Sequence, residues 1–166
     1  MPLATRFQQS PETVAEMEKA ALSRFREGRF LVESGWYDSG IYLLGFAAEI
    51  FLKTAYCRVD SQVRRNFLVA ARMTPARRYW RITFGDIPSG HDILFLALSI
   101  ENDRPRQGKQ PWPVATARLF NTTIDRIAEC WTVEMRYHSP KATQAEAEDM
   151  LADVSWLRQN YAVLWR

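Results

Sequence analysis

The hydrophobic residues of this chain recur every three to four positions, which is the spacing of an α-helix that buries one face. The first such series comprises Val14, Met17, Ala21 and Phe25. Ser10-Pro11 is a favoured helix start, and the series stops near Ser34-Gly35. These signals predict a first helix from about residue 10 to residue 34.

The segment from Tyr37 to Arg58 is the most apolar part of the chain. Its inner stripe consists of Ile41, Leu44, Ala48, Phe51, Leu52 and Ala55. The other faces are apolar as well, so we expect a central helix. Its longest apolar run is shorter than the roughly 20 residues that span a bilayer, and Glu49 and Lys53 interrupt it. Because the N-terminus also lacks the apolar core of a signal peptide, we expect a cytoplasmic protein that does not contact a membrane.

Residues 60–88 show no continuous helical pattern. Ser61 is a candidate N-cap, and Thr74-Pro75 is a candidate start of a second short helix. We therefore expect short helices and a loop here. A capping box of Ser89 and Asp92 then predicts a helix that ends near Asp103, followed by a loop over residues 104–113.

Two further helices complete the pattern. Helical spacing of apolar residues predicts one from about Val114 to Trp131. Ser139-Pro140 interrupts the chain, and a capping box of Thr143 and Glu146 opens the last helix. Since no segment alternates as a strand would, we predict an all-α protein. Residues 1–166 should form one domain, an up-and-down bundle of four to five principal helices with short extra helices in the middle.

Charge modifies this picture at one place. The 166 residues carry 22 Lys and Arg against 19 Asp and Glu, a net charge of +3, but residues 53–81 alone carry +7. This segment contains Arg77, Arg78 and Arg81, with aromatic residues between its arginines. Guanidinium groups and aromatic rings are typical contacts of single-stranded RNA, so the segment is a candidate RNA-binding surface. The alternative is a solvated helical face.

Several chemistries are absent from the sequence. It has no Gly-rich phosphate loop and no nucleophile elbow, and His91 and His138 are its only histidines. We therefore expect neither a metal site nor a cofactor. Cys57 and Cys130 lie far apart without a CxxC motif, and both are interpreted as free, mostly buried thiols.

Glu49 and Lys53 are one candidate site. They lie four residues apart within the apolar helix, where apolar neighbours should leave the carboxylate at least half buried and in need of a partner. They are either part of a phosphate-binding cleft or a structural ion pair.

The second candidate site is the segment Trp131–His138. Arg136 supplies a fixed cation, Tyr137 a hydroxyl and His138 a group that exchanges protons near neutral pH. Together they could hold a phosphate and move a proton. Alternatively, Arg136 pairs with Glu49 or Glu134 and only ties the helix end to the core.

Four segments together resemble the HEPN family of nucleotide-binding helical domains. The first segment runs from Gly35 to Lys53, where an aromatic residue and Asp precede a helix that contains Glu and then Leu-Lys. The other three segments are residues 91–96, 131–137 and 154–157. The resemblance implies a helical bundle, a homodimer with a composite cleft, and roles that range from nucleotide binding to ribonuclease toxins paired with nucleotidyltransferase partners.

The resemblance also implies site residues. Arg136 matches the arginine of the family's ribonuclease motif, and Glu49 matches a polar residue of the second helix. The family places histidine four to six residues after the arginine, whereas His138 follows Arg136 after one residue. The leading hypothesis is nucleotide or RNA phosphate binding near Glu49, Lys53, Arg136 and Tyr137. The alternatives are a metal-independent endoribonuclease that uses Arg136 and His138, and an interaction module in which Glu49 and Arg136 form a structural brace.

Overall fold

The computed structural model describes residues 12–84 and 91–166 of the chain. These ranges contain six α-helices and one short 3₁₀ helix. The helices are α1 (Val14–Glu33), α2 (Tyr37–Val59), α3 (Val69–Phe84), α4 (Ile93–Arg106), α5 (Val114–Cys130) and α6 (Gln144–Trp165), and the 3₁₀ helix Val133–Tyr137 lies between α5 and α6. Within the two described ranges there is no strand, only an isolated bridge between Thr13 and Leu68. The predicted all-α class is confirmed.

Helix α2 forms the centre of the bundle. It packs against α1, α3, α4, α6 and the 3₁₀ helix, and most of its 23 residues are buried. In the described part of the chain it is the one helix long and apolar enough to cross a membrane, and 72% of that apolar stretch lies inside the protein. Its apolar surface is therefore used by the core, as the all-round apolar pattern predicted.

Helices α1 and α2 pack closely because glycine lies at their crossing. A Cβ atom on Gly28 would lie 2.9 Å from Cγ of Leu44 and 3.1 Å from the Gly40 carbonyl oxygen. No larger residue fits without moving one helix away from the other. This crossing fixes the orientation of α2, and with it the side chains of the site described below.

Helix α3 differs from the prediction of short helices and a loop over residues 60–88. Residues 61–67 are irregular, so the predicted N-cap Ser61 caps no helix. A single 16-residue helix follows and continues through Pro75, so the predicted start at Thr74-Pro75 is also wrong. Proline removes one backbone donor there. The helix persists because Val69, Met73 and Ala76 form a buried face at helical spacing. This extra helix raises the count within residues 12–84 and 91–166 to six, against the four to five principal helices that were predicted.

The ends of the other helices follow local signals. Asp92 caps α4, accepting a 2.8 Å hydrogen bond from the Phe95 backbone N–H, and the predicted capping box of Thr143 and Glu146 at α6 is confirmed. Helix α1 begins at Val14 after an N-cap at Thr13. The candidate caps Ser10 and Ser89 lie outside the described residues. Helix α4 continues to Arg106, three residues beyond the predicted end.

Candidate functional site

A buried carboxylate on α2 organises the first part of the site. The Glu49 side chain is only 3% exposed, and its Oε1 accepts a hydrogen bond from Nζ of Lys53. Its Oε2 lies 2.8 Å from Nδ1 of His91. The expectation that Glu49 is buried and needs a partner is confirmed, and the carboxylate bonds two partners rather than one.

The spacing of residues along α2 explains this arrangement. Tyr42, Phe46, Glu49 and Lys53 are separated by four, three and four residues, so they lie along one face of the helix. We call these four residues the α2 strip. The Phe46 ring contacts the Tyr42 ring edge-on with centroids 4.9 Å apart and the His91 ring with centroids 6.1 Å apart. The strip thus places aromatic rings beside the polar cluster.

Trp131 covers the strip from the end of α5. Its ring lies 5.4 Å from that of Phe46, and its indole N–H donates a 3.1 Å hydrogen bond to the Tyr42 carbonyl. The indole can lie this close only because Gly45 has no side chain: a Cβ atom there would lie 2.1 Å from the indole ring. Gly45 therefore positions the segment that follows Trp131.

Arg136 lies at one end of the α2 strip. Its guanidinium interacts with the Tyr42 hydroxyl, which raises the arginine pKa, and it lies 4.6 Å from the centre of the Tyr137 ring. Arg136 forms no ion pair with any described residue. Its charge does act on Glu134, whose pKa is lowered mainly by the Thr132 hydrogen bond and further by Arg136, whereas Glu49 bonds Lys53 and His91. The proposed structural brace between Glu49 and Arg136 is therefore wrong, because Glu49 finds its partners on α2 and before α4.

His138 faces a different cavity. That cavity has a volume of about 310 Å³, and its lining includes His138, Asp38, Glu129 and Glu146. Asp38 is occupied by the backbone N–H groups of Lys141 and Ala142. Arg136 is not part of this lining. Arg136 and His138 therefore do not line the same cavity, and their joint catalytic role stays a prediction.

The arginine-rich segment is only partly available to a ligand. Arg58 bonds Glu18 through two nitrogens, at 2.8 and 3.0 Å, and Arg72 bonds Asp103 at 2.7 Å. Both are therefore internal contacts, although the sequence suggested one continuous basic surface.

The three arginines predicted for RNA binding lie on α3. Arg78 and Arg81 are exposed. Arg77 shares a groove of about 210 Å³ with Lys53, at the other end of the α2 strip from Arg136. Lys53 and Arg77 are thus brought together, and so are Arg136 and Tyr137.

A second cavity, which we call the α4 cavity, lies between the first turn of α4 and the 3₁₀ helix. Its volume is about 330 Å³. Its lining combines apolar and polar side chains in similar proportion. The lining consists of His91, Asp92, Ile93, Leu94, Ala128, Trp131, Thr132, Val133 and Glu134.

His91 belongs to the site, although it was not among the predicted site residues. The ring is 48% exposed, and Glu49 holds one of its nitrogens. A buried carboxylate that orients an accessible imidazole is a common arrangement in functional sites. The sequence did contain one signal, because a buried Glu49 required a partner and the chain has only two histidines.

Neither metal ligands nor reactive thiols are evident. In residues 12–84 and 91–166, no group of three or more His, Cys, Asp or Glu side chains is arranged to hold a metal ion. Both cysteines are free, as predicted. Burial raises the pKa of the Cys57 thiol to about 12 and also raises that of Cys130, so neither is activated as a nucleophile.

Comparison with known proteins adds no relative. No protein-family model, curated protein or solved structure matches this chain. The fold and the site define an all-helical protein with a cation and aromatic rings at one end of its central helix and an oriented histidine beside a cavity.

Proposed function

We propose that this protein binds the phosphate group of a nucleotide or of single-stranded RNA at the Arg136 end of the α2 strip. The observation that carries the proposal is the surroundings of Arg136. Its exposed guanidinium interacts with the Tyr42 hydroxyl, lies over the Tyr137 ring and forms no ion pair with a described residue, although its charge also acts on Glu134. A fixed guanidinium with unused donors favours a phosphate ligand. The resemblance to HEPN domains implies the same class of ligand.

The rest of the strip supports a ligand longer than one phosphate. Arg77 supplies positive charge at the far end, beside Lys53, whose own charge is paired with Glu49, and Phe46 lies between the two ends. From Tyr42 to Lys53 the helix rises about 17 Å, at 1.5 Å for each residue. The exposed Arg78 and Arg81 extend the basic surface beyond Arg77.

Glu49 has a positioning role in this proposal. Both of its oxygens are engaged, one by Lys53 and one by His91, and a carboxylate repels phosphate. It was predicted as a ligand-binding residue. The geometry supports instead that it fixes the side chains of Lys53 and His91, which then face the ligand.

The direct test is to remove the Arg136 cation. Fluorescence anisotropy with a labelled single-stranded RNA oligonucleotide should show about tenfold weaker binding for Arg136→Ala, the loss expected for one charge-assisted hydrogen bond. Affinity of the wild type should fall with salt, and the slope should decrease by about one unit of log K per log salt in the variant.

Arg118→Ala is the matched control. Arg118 is exposed on α5 and, like Arg136, forms no ion pair with a described residue. Its removal changes the net charge equally but should leave affinity within about twofold. An equal loss of RNA affinity in both variants would show that only net charge matters and would contradict a phosphate site at Arg136. If the wild type binds neither RNA nor nucleotides, the proposal is refuted.

A further inference from the structure

The α4 cavity has the features of a base-binding site. Its volume of about 330 Å³ lies at the lower end of the range of about 300–1,000 Å³ that small-molecule sites occupy. Ile93, Leu94, Ala128 and Val133 supply apolar surface, and Trp131 adds an indole. Apolar surface beside a few polar groups suits a flat heteroaromatic ring that carries hydrogen-bonding groups on its edge.

The cavity is rigid on the side of His91. Glu49 holds Nδ1 of that ring at 2.8 Å, and the Phe46 ring contacts it edge-on. Trp131 is in turn fixed against Gly45 and bonded to the Tyr42 carbonyl. The orientation of two of the walls is thus set before any ligand enters, which reduces the entropy lost on binding.

The charges at the rim determine which part of a ligand enters. Asp92 and Glu134 both line the cavity. The hydrogen bond from the Thr132 hydroxyl lowers the pKa of Glu134, so this carboxylate is ionised at neutral pH. Two carboxylates exclude a phosphate from the cavity, whereas they accept hydrogen bonds from N–H donors.

Arg136 does not line the α4 cavity, but it lies near Glu134, which does: after the Thr132 hydrogen bond, the charge of Arg136 also lowers the pKa of Glu134. Arg136 follows Glu134 by two residues on the same 3₁₀ helix, and its partner Tyr42 is bonded through its carbonyl to Trp131, a wall of the cavity. The carboxylates at the cavity favour groups with N–H donors, and the positive charge of Arg136 beside it favours a phosphate. A nucleotide can satisfy both with its base inside and its phosphate on Arg136.

We infer that the α4 cavity binds the base of a nucleotide whose phosphate lies on Arg136, and that Glu134 selects guanine. Guanine presents two adjacent donors, N1–H and the N2 amino group, which match the two oxygens of a carboxylate. Adenine and cytosine present a single amino group on that edge, and uracil a single imino N–H. This inference rests on the proposed function, which it deepens by naming the nucleotide.

Isothermal titration calorimetry with the four ribonucleoside 5′-monophosphates tests the inference. The wild type should bind GMP about tenfold or more tightly than AMP, CMP or UMP, the discrimination expected from one bidentate contact. Glu134→Gln keeps the side-chain size but loses the second acceptor, so the four affinities should converge to within about threefold. Arg136→Ala should weaken all four by a similar factor.

Two further variants make the result specific. Glu129→Gln, an exposed glutamate of α5 that lines the other cavity, should leave the GMP preference unchanged. Leu94→Trp, at an exposed wall position, should block guanosine while inorganic phosphate binds as in the wild type. Circular dichroism and a thermal melt verify that each variant is folded.

The outcomes separate the two proposals. Equal binding of all four nucleotides that still depends on Arg136, or a GMP preference that survives Glu134→Gln, overturns the base site and leaves the phosphate site standing. Nucleotide binding that does not depend on Arg136, or its complete absence, overturns both.

Discussion

Two carboxylates on neighbouring helices, Glu18 and Glu49, each organise a polar cluster in this protein. Glu18 of α1 accepts hydrogen bonds from Arg58 of α2 at 2.8 and 3.0 Å and from the Tyr161 hydroxyl of α6 at 2.8 Å. The Glu18 and Arg58 side chains are 19% and 17% exposed. The Glu49 cluster instead includes His91, which is 48% exposed and lines a cavity.

The two clusters differ in whether their hydrogen-bonding groups are all used inside the protein or also orient a side chain at the surface. The first cluster joins three helices and uses its donors and acceptors within the protein, so it acts as a cross-link. The second fixes the orientation of a side chain that reaches the surface. A buried charge is therefore weak evidence for function by itself. The evidence for a functional site is stronger when a partner of the buried charge also lines a cavity, as His91 does.

The largest effect on stability and binding should come from Gly45→Ala, which disturbs the surroundings of the Glu49 cluster and leaves the Glu18 cluster unchanged. The added methyl group would overlap the Trp131 indole, and overpacking of this kind costs about 1–3 kcal/mol. Urea unfolding should show this loss, and nucleotide binding should fall because Trp131 walls the α4 cavity. Ser39→Ala, an exposed change in the same helix, should stay within about 0.5 kcal/mol. Unchanged tryptophan fluorescence and stability in Gly45→Ala would contradict the packing described.

Glu18→Gln should be the next largest in stability and should not affect binding. Arg58 would keep its charge in a site that is 17% exposed but would lose its counter-charge. We expect the free energy of unfolding to fall by about 2 kcal/mol, somewhat less than for a fully buried pair. This corresponds to a melting temperature lower by about 4–8 °C. Calorimetry measures the melting temperature of Glu18→Gln, and a nucleotide titration measures its affinity. Weaker nucleotide binding in this variant would show that the Glu18 cluster also contributes to binding, which contradicts the difference drawn between the two clusters.

Glu49→Gln should have the opposite pattern, with a small loss of stability and a clear loss of nucleotide affinity. Lys53 is 16% exposed and can extend its ammonium group towards water, so we expect a stability loss of about 1 kcal/mol. The amide oxygen cannot serve both Lys53 and His91 as the two carboxylate oxygens do. Nucleotide affinity should therefore fall about threefold to tenfold. A larger stability loss than in Glu18→Gln, without any change in affinity, would assign Glu49 a purely structural role.

The smallest effect concerns alkaline pH, and the Glu18 cluster contributes to it through Tyr161. Burial, and the hydrogen bond to Glu18, raise the pKa of Tyr161 above its ordinary value of 10.0. Below pH 10 this contribution to stability is complete, and above pH 10 the unfolded chain loses the phenol proton first, so stability falls. The slope is at most about 1.4 kcal/mol for each pH unit.

Tyr161→Phe should reduce that alkaline slope, whereas Glu49→Gln should leave it unchanged. Tyr56 is buried and its pKa is raised in the same direction, so part of the slope should persist in Tyr161→Phe. Urea unfolding between pH 9 and pH 11 measures the difference. Equal slopes in the wild type and Tyr161→Phe would show that the tyrosine ionises as easily in the folded state as in the unfolded chain.

The sequence predicted those features that depend on neighbouring residues. The capping box of Thr143 and Glu146, the extent of α2 and the pairing of Glu49 with Lys53 all involve residues within one or two helical turns. Helix α3 was missed because Pro75 is a local signal for a helix start, while the buried face of the helix overrides it.

The remaining features of the site depend on contacts between distant segments. His91 lies 42 residues from Glu49, and Arg58 lies 40 residues from Glu18. Periodicity does not report which charged residues meet across the bundle, so the basic segment was predicted to be more available than it is. The same reason explains the incorrect brace between Glu49 and Arg136.

Helix α3 packs on α2, contacts α4 through Trp80 and Arg72, and carries the exposed Arg78 and Arg81. An element with so little burial opens at a lower free energy than the whole protein unfolds. Its backbone amides should therefore exchange hydrogen for deuterium faster than those of α2. Contact of RNA with this surface would then be visible as slowed exchange in α3, because the ligand must hold the helix closed in order to stay bound.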